Sequence, residues 1–381
     1  MGAIETARAS GFRRVLGFDM GGTSTDVSLC DGAPRETTEA IVDGCPIRVP
    51  MLDIHTVGAG GGSIARVDAG GLLRVGPESA GADPGPACYG TGTAATVTDA
   101  HVVLGRIGAL LAGGVALDAE RAAAAVDRIA RTLKMDRVQA AAGILRVANA
   151  NMERAIRVVS VERGHDPRDF ALVAFGGCGG LHACEIAEEL GIRNVLVPQH
   201  AGALSALGML LADATRDYAA GVLGRSDLED HFAKLERRAL RESPGARIER
   251  SADLRYRGQS YELNVPWSEA RTAAAFHREH RKVYGFALEE RDVEVVTIRV
   301  RARIVTAKPR LTRTAMQKGA PGPRRIWIEG AWREVPVWNR EQIVGAQQGP
   351  ALVRDYGATT LIPAGWGFTV DGRGNLVLRR L

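Results

Sequence analysis

The chain has 381 residues, of which 45% are hydrophobic and 24% are charged, values typical of a globular protein and not of a disordered or fibrous one. It contains no run of about 18 consecutive apolar residues, which argues against a membrane-spanning helix. The net charge is +5, but the arginines are interleaved with acids, so a mixed solvated surface is favoured over a nucleic-acid interface. The five cysteines form no CxxC pair, which disfavours a disulfide framework and fits a reducing cytoplasm.

The N-terminal third of the sequence alternates short strands with glycine-rich turns. Residues 15–19 are predicted to form a buried strand and residues 25–30 a strand that returns beside it, so residues 20–24 form a hairpin tip. Further strands are predicted at 36–42, 47–49 and 53–57, followed by a hairpin over 63–75 and an irregular Pro- and Gly-rich loop over 76–92.

The composition of the sequence changes near residue 217, after which charged residues become more frequent. Before that point the pattern predicts helices at 118–133, 138–164, 181–190 and 203–211, with buried strands at 171–175 and 194–197. After it, helices are predicted at 228–241 and 269–284, strands at 252–257, 260–265 and 293–304, and a linker at 308–323. We therefore predict two domains, residues 1–215 and residues 216–381.

The hairpin tip carries the residue types that a phosphate-binding turn requires. Gly21 and Gly22 let consecutive N–H groups turn toward a phosphate without obstruction by a Cβ, and Thr23 and Ser24 add hydroxyl donors. The carboxylate of Asp19, at the end of the strand, can hold Mg²⁺ through water. The segment lacks the Gly-Lys-Ser/Thr of a Walker loop. A plain glycine-rich hairpin, whose hydroxyls cap the turn, remains the alternative.

A second glycine turn follows the strand at 171–175 and precedes a helix. Gly176 and Gly177 allow the backbone to approach a base or a ribose and expose the N-terminus of the helix to negative charge. The turn lacks the GxGxxG spacing, which disfavours a nicotinamide site. Close packing of strand on helix is the alternative, and for His182 a place in the core is favoured over a catalytic role.

Polar residues recur in the irregular segments 53–63, 83–89 and 96–101, as expected of functional loops. His55, Cys88, Asp99 and His101 are conceivable metal ligands, but their spacing matches no metal signature. A nucleophilic role for Cys88 is similarly weak, because no base follows it in the sequence.

Several long motifs occur in a characteristic order, and together they carry a family resemblance. They are GFDMGGTSTDVSL (17–29), DIHTVGAGGGSIARVDAGG (53–71), SAGADPGPACYG (79–90), TVTDA (96–100), NANMERAIRVVSVERGHDP (149–167), AFGGCGGLHA (174–183) and SALGMLLAD (205–213). The chain resembles the hydantoinase/oxoprolinase family, which includes A-type subunits of N-methylhydantoinase, 5-oxoprolinase and the related acetone carboxylase β subunit. The two glycine turns also resemble the second phosphate hairpin and the adenosine motif of the actin and hexokinase ATPases.

This resemblance implies an α/β fold, an actin-like ATPase (ribonuclease H-like) lobe over 1–215 followed by a C-terminal α+β domain. The implied cofactors are ATP and Mg²⁺. The implied cofactor-binding residues are Gly21, Gly22, Thr23 and Ser24 at the phosphates, Gly60 and Gly61 at the cleft, and Gly176 and Gly177 at adenosine. The implied catalytic residues are Asp19, which is also the metal ligand, Asp53 and His55. The sequence departs from the family at Cys178-Gly-Gly, where Ala-Gly-Pro is expected, and at His101, where Asn is expected.

The implied function is ATP-dependent hydrolysis of a cyclic amide of the 5-oxoproline or hydantoin type, through phosphorylation of the ring carbonyl. The implied partners are a B-type subunit and an N-terminal lobe with its own phosphate hairpin, expected ahead of this chain, in a cytoplasmic homo- or hetero-oligomer without nucleic acid or membrane. Two alternatives remain, an ATP-dependent carboxylase subunit and a non-catalytic lobe that binds nucleotide or serves assembly.

Overall fold

A computed structural model describes residues 1–37, 40–42, 45–47, 51–108, 116–309, 312, 314, 315, 317 and 319–381. The predicted strands at 36–42 and 47–49 and the predicted linker at 308–323 lie partly outside these residues. The helices are α1 Gly2–Ala9, α2 Val97–Val103, α3 Ala119–Leu133, α4 Arg137–Val159, α5 Gly179–Glu189, α6 Leu204–Leu211, α7 Leu228–Glu242 and α8 Thr272–Tyr284. No helix in these ranges is long and apolar enough to cross a bilayer.

The strands in the first half are β1 Arg14–Met20, β2 Thr25–Asp31, β3 Glu36–Thr37, β4 Ala40–Val42, β5 Cys45–Ile47, β6 Met51–Leu52, β7 Ile54–Val57, β8 Ser63–Val67, β9 Leu73–Ser79, β10 Ala171–Phe175 and β11 Asn194–Val197. The strands in the second half are β12 Ala214–Gly221, β13 Arg247–Tyr256, β14 Leu263–Pro266, β15 Val293–Ile304, β16 Gly322–Ile328, β17 Ala331–Asn339, β18 Gln347–Gln348, β19 Ala351–Arg354, β20 Thr359–Ile362, β21 Trp366–Val370 and β22 Leu376–Arg380. Two units result, one of Met1–Met209 with Arg310–Leu381 and one of Leu210–Pro309. The boundary predicted after residue 215 stays a prediction.

An eight-stranded sheet forms the centre of the first unit, in the order β18-β21-β22-β11-β10-β1-β2-β7. Strand β1 runs parallel to β10 and antiparallel to β2. Asp19 is therefore level with Phe175, and the tip of the β1–β2 hairpin lies at the same sheet edge as the turn after β10. The last strand, β22, pairs with β11 and completes the sheet.

The two faces of this sheet are covered by different helices. Leu16, Phe18 and Met20 of β1 are buried in the main core, which also takes side chains from α4 and α5. Val15, one position away, belongs to a smaller core with Ala7 of α1. This alternation follows from the two-residue period of a strand, and each large apolar side chain that is fully buried contributes about 1.5–3 kcal/mol.

A second sheet in this unit has the order β16-β17-β19-β20. One of its faces buries Ile326, Val335, Leu352 and Leu361 against Leu181 of α5. Because α5 begins at the glycine turn that follows β10, this packing brings the C-terminal strands to the functional edge of the central sheet.

The other unit is a four-stranded antiparallel sheet, β12-β15-β13-β14, with α7 and α8. Phe232, Tyr256, Phe276 and Ile298 are buried in its core. The Tyr256 hydroxyl lies 2.7 Å from His277 Nδ1 and accepts a hydrogen bond from the backbone N–H of Leu288. None of the predicted site residues lies in this unit.

Candidate functional site

The tip of the β1–β2 hairpin is held by a second glycine loop. The N–H of Gly61 donates to the carbonyl of Gly21 at 3.0 Å, and that of Gly62 to the carbonyl of Gly22 at 2.6 Å. Because the C=O and N–H of one trans peptide point in opposite directions, the amides of Gly22 and Thr23 point away from this loop. Neither amide donates to a protein acceptor among the described residues. Two successive free N–H groups of this kind form a concavity that binds anions.

Glycines on the two sides of this contact have different roles. A Cβ on Gly60 would lie 2.6 Å from the carbonyl carbon of Thr23 and 2.7 Å from the nitrogen of Ser24, so only glycine allows the loops to approach. A Cβ on Gly22 would meet no atom within 4 Å. Gly60 is therefore buried behind the hairpin and supports it, whereas Gly22 and Thr23 are exposed at its tip.

A cleft of about 920 Å³ opens beside the tip, a size that suits a small-molecule ligand. Its walls include three of the predicted glycine segments, through Gly21 and Gly22, Gly61 and Gly62, and Gly177 with Cys178. The opposite wall comes from the C-terminal strands, and sequence reasoning did not find it. It includes Arg324, Asn339, Glu341, Arg354, Tyr356 and Gly357.

Asp19 lies at the end of β1, beside the cleft and not among its lining residues. Its Oδ2 accepts a hydrogen bond of 2.7 Å from the Ser205 hydroxyl, and a Cβ on Gly176 would lie 2.6 Å from its Oδ1. Asp26 is directly opposite on β2. Burial raises the pKa of Asp19, the charge of Asp26 raises it further, and the bond from Ser205 opposes both. Two carboxylates on neighbouring strands are a donor set that fits Mg²⁺.

His55 is not on the same face of the sheet as Asp19. In the register of β1, β2 and β7, Asp19 is opposite Asp26 and Asp26 is opposite Thr56, whose hydroxyl donates to Asp26 at 2.6 Å. Successive residues of a strand point to opposite faces, so His55 points to the other side of the sheet. The catalytic role of His55 stays a prediction.

Asp53, just before β7, is held by two arginines. Its carboxylate forms an ion pair with Arg163 and a second one, at 3.3 Å, with Arg35. The carboxylate is only 12% exposed, so this pairing joins the edge of the sheet to the 3₁₀ turn that follows α4. A catalytic role for Asp53 also stays a prediction.

Asp99 is a buried carboxylate that shapes one wall of the cleft. It closes a capping box at the start of α2 by accepting from the N–H and the hydroxyl of Thr96, at 2.9 and 2.7 Å. It also accepts from the backbone N–H groups of Ala87 and Cys88, at 3.2 and 2.7 Å. These bonds fix the short turn that presents Tyr89 to the cleft. The sequence analysis named Asp99 only as a conceivable metal ligand, although the Thr-x-x-Asp spacing is a helix-start signature that predicts its capping role.

The thiols near the cleft are protonated at neutral pH. Burial, and then the charge of Asp99, raises the pKa of Cys88 well above its usual range, and burial raises that of Cys178 to about 11. Neither thiol is therefore an activated nucleophile. Across the described ranges, no three His, Cys, Asp or Glu side chains are grouped as they are in a metal site.

His101, one of the two family departures, forms a buried pair with His182. Their Nε2 atoms are 3.0 Å apart, and His182 Nδ1 lies 2.6 Å from Asn149 Oδ1. Asn149 donates in turn to Glu185 at 2.8 Å, and Glu185 forms an ion pair with Arg106 at 3.0 Å. Burial lowers the pKa of His182 to about 3, with the charge of Arg106 acting in the same direction. Burial likewise lowers the pKa of His101, so both rings are neutral at pH 7.

This pair predicts an acid-sensitive fold. The unfolded chain binds protons at these histidines near pH 6.5, whereas the folded chain does not until the pH is much lower, so stability falls as the pH falls below 6.5. Between pH 7 and pH 5 each neutral imidazole costs about 2 kcal/mol of unfolding free energy. We expect His101→Asn to remove one such contribution, measured by urea denaturation at both pH values. The exposed His200→Asn is the control, and an unchanged pH dependence in His101→Asn would contradict the prediction.

The turn at residues 355–358, which is held in place by a buried ion pair, lies against the second glycine turn. The Arg340 guanidinium, which is 3% exposed, donates to both carboxylate oxygens of Asp355, at 2.6 and 2.5 Å. The carbonyl of Gly357 is 3.7 Å from the position of a Cβ on Gly177. Tyr356, at the tip of this turn, is 88% exposed and lines the cleft.

Comparison with known proteins gives consistent matches along the chain. The family model described as hydantoinase/oxoprolinase matches residues 1–218, and that of the hydantoinase/oxoprolinase C-terminal domain matches residues 236–380. An uncharacterized protein of Methanocaldococcus jannaschii is 39% identical over 96% of this chain. The caprolactamase subunit alpha of Pseudomonas jessenii is 36% identical over 96% of this chain. 5-Oxoprolinase 1 of Arabidopsis thaliana is 33% identical over 91% of this chain.

Two solved structures match the whole chain. The crystal structure of the ATP-dependent caprolactamase from Pseudomonas jessenii does so with a TM-score of 0.83 and 33% identity, and acetone carboxylase with a TM-score of 0.80 and 24% identity. These matches confirm the predicted fold class. The chain spans 58% of the length of the first two relatives, 31% of the third and 60% of each matched structure.

Proposed function

This chain belongs to the hydantoinase/oxoprolinase family, as its motifs predicted, and we propose that it supplies one wall of the nucleotide cleft in an ATP-dependent enzyme that hydrolyses a cyclic amide. One observation carries the proposal. The amides of Gly22 and Thr23 are free and point outward, because the carbonyls of Gly21 and Gly22 are bonded to the loop behind them. Relatives named 5-oxoprolinase and caprolactamase support the reaction class.

In this proposal the phosphates of ATP bind at the hairpin tip. The N–H groups of Gly22 and Thr23 and the hydroxyls of Thr23 and Ser24 donate to phosphate oxygens, while Gly60 and Gly61 keep the tip in place. Mg²⁺ would be held at Asp19, with Asp26 beside it, and would neutralise the charge of the phosphates. Burial, and to a smaller extent the charge of Asp26, raises the pKa of Asp19, and a bound cation would offset the cost of holding the two carboxylates side by side.

Adenosine would lie at the second glycine turn. Gly177 lines the cleft there, whereas Gly176 lies behind it and packs against Met20 and Asp19 at the end of β1. The turn at 355–358 adds the exposed ring of Tyr356 to the same cleft. A flat aromatic side chain is a suitable surface for stacking a base. The phosphate and adenosine sites are adjacent because β1 and β10 end at the same edge of the central sheet.

The chemistry explains the requirement for ATP. The carbonyl of a five-membered cyclic amide is stabilised by resonance and resists attack by water. Transfer of the γ-phosphoryl group to the carbonyl oxygen makes the carbon electrophilic and creates a leaving group. This transfer requires mainly that the reactants are positioned and that their charges are neutralised.

A B-type subunit would complete ring opening. A further lobe would close the cleft, in keeping with the 58% of the caprolactamase subunit alpha that this chain spans. The free cysteines fit a cytoplasmic enzyme.

The test is substrate-stimulated release of ADP. This chain is combined with the other lobe and the B-type subunit, and ADP is measured with MgATP alone and after addition of 5-oxoproline, hydantoin, caprolactam, or acetone with bicarbonate. We expect at least one cyclic amide to increase the rate. No stimulation by any of them, or stimulation only by acetone with bicarbonate, would reject cyclic amide hydrolysis, and the second result would favour the carboxylase alternative.

Gly22→Val tests the hairpin tip. The new side chain meets no protein atom within 4 Å at its Cβ, so the fold should tolerate it, but it covers the amides that would receive phosphate. We expect MgADP affinity, measured by titration calorimetry, to fall at least ~10-fold, since hydrogen bonds to a charged group are worth about 1.5–3 kcal/mol. Gly372→Val is the matched control, because a Cβ there is equally unobstructed. Equal MgADP affinity in the two variants would contradict the phosphate site.

A further inference from the structure

The C-terminal wall of the cleft changes from apolar to basic along one face of the second sheet. Arg324 is opposite Val335 in the β16–β17 register, and Asn339 is opposite Arg354 in the β17–β19 register. These positions share the face that carries Val335 and Leu352 and packs on Leu181. The apolar side chains pack the sheet on α5, and Arg324, Asn339 and Arg354 add polar groups to the wall of the cleft.

The two arginines of this wall are held in place without a neutralising partner. Arg354 donates from Nε and Nη2 to Asn339 Oδ1, at 3.3 and 3.1 Å. The Arg324 guanidinium lies over Gly108, where a Cβ would be 2.9 Å from its Nη2. Neither arginine forms an ion pair with any carboxylate of the described residues, Glu341 of the same cleft included.

The positive charges of Arg324 and Arg354 are close enough to repel each other, which shows in the pKa of Arg324. Burial lowers the pKa of Arg324, and the charge of Arg354 lowers it further. A half-buried guanidinium beside a like charge is a costly arrangement that a bound anion would relieve. The planar donors of arginine match the two oxygens of a carboxylate, which makes this pair a suitable receptor for that group.

We propose that Arg324 and Arg354 bind the carboxylate of the substrate, so that the enzyme selects a cyclic amide bearing a carboxylate, of the 5-oxoproline type, over an unsubstituted lactam. This rests on the proposed function for the cyclic amide itself. The phosphates of the nucleotide already have the amides of Gly22 and Thr23 at the hairpin tip. A second anion site on another wall of the same cleft therefore serves the other reactant.

The experiment compares two ligands that differ only in the carboxylate. The full chain is titrated calorimetrically with 5-oxoproline and with 2-pyrrolidinone, which is the same ring without the carboxylate, in the absence of nucleotide. We expect 5-oxoproline to bind at least ~10-fold more tightly, because each charged hydrogen bond is worth about 1.5–3 kcal/mol. Equal affinities, or no detectable binding of 5-oxoproline, would overturn the proposal.

Variants assign the preference to the two arginines. Arg324→Met and Arg354→Met should each weaken 5-oxoproline about 10- to 100-fold and leave 2-pyrrolidinone and MgADP unchanged. Arg325→Met is the matched control, because this neighbour on β16 is exposed and lies over Trp332 on the other face of the sheet. It should bind 5-oxoproline as the unmodified chain does.

The outcomes separate the carboxylate site from the nucleotide site. If the arginine variants weaken MgADP and spare 5-oxoproline, the pair binds nucleotide and the carboxylate proposal is wrong. If the unmodified chain and its complete assembly fail to bind MgADP, the proposed function fails. The preference for 5-oxoproline over 2-pyrrolidinone then still decides the carboxylate site by itself.

Discussion

Asp19→Asn is expected to lower the kcat for ADP release by the complete assembly at least ~10²-fold, the usual scale for removing a preorganised electrostatic group. Asparagine keeps the size of the side chain and an oxygen for the Ser205 hydroxyl, but it removes the charge that would attract Mg²⁺. The measurement is turnover at saturating MgATP and cyclic amide. Near-normal turnover would reject the proposed role of Asp19 at the metal.

The same variant should not lose stability. Burial and Asp26 raise the pKa of Asp19, so the ionised carboxylate is disfavoured in the folded chain, and a neutral side chain relieves that cost. We expect an unfolding free energy equal to or above that of the unmodified chain in metal-free buffer. Asp31→Asn, at the far end of the same hairpin, is the control and should keep full turnover. A clear loss of stability in Asp19→Asn would mean that its turnover reports damage to the fold.

Arg340→Met is expected to cost about 3–5 kcal/mol of unfolding free energy, the range for breaking one side of a buried ion pair. The change leaves the Asp355 carboxylate buried without its bidentate partner. It also removes the donor to the carbonyls of Val197 and Gly374, at 2.8 and 3.1 Å. Because the 355–358 turn lies against Gly177, nucleotide affinity should fall as well. Urea denaturation and MgADP titration measure the two effects.

Two further variants show whether the ion pair is the cause. Arg340→Met combined with Asp355→Leu should recover part of the lost stability, because the uncompensated carboxylate is then absent. Arg333→Met, which breaks an exposed pair with Glu329 on the same sheet, should cost no more than about 1 kcal/mol. An equal cost for Arg333→Met and Arg340→Met would show that burial of the pair is not what matters.

The hairpin and the second glycine turn could be predicted from the sequence because local patterns specify them. The strand predicted at 15–19 is extended by one residue at each end, and those at 171–175 and 194–197 have the predicted bounds. The long helix predicted to end at Gly164 stops at Val159, where the Ser160 hydroxyl donates to the carbonyl of Ile156 and a 3₁₀ turn follows. The spacing of apolar residues does not show where a side-chain hydroxyl will compete with the helix for a backbone carbonyl, so it could not predict this end.

The C-terminal wall of the cleft could not be predicted in this way. Arg324 and Arg354 reach the cleft because β16 and β19 both flank β17 and because their sheet packs on α5, contacts between segments far apart in the sequence. The face on which His55 lies likewise depends on the register of three strands, and a shift of one residue would reverse it. Strand pairing between distant segments cannot be predicted from the residue pattern of one segment alone.

The pairing of β22 with β11 also sets an order of events during synthesis. While the nascent chain leaves the ribosome, β11 presents an unpaired, apolar strand edge for as long as residues 198–375 are still being made. The strands of the other unit all lie within residues 214–304, so that unit can fold while this edge is still open. Chaperone dependence and aggregation of incomplete chains should therefore concentrate in the first unit, whose central sheet stays incomplete until β22 has been translated.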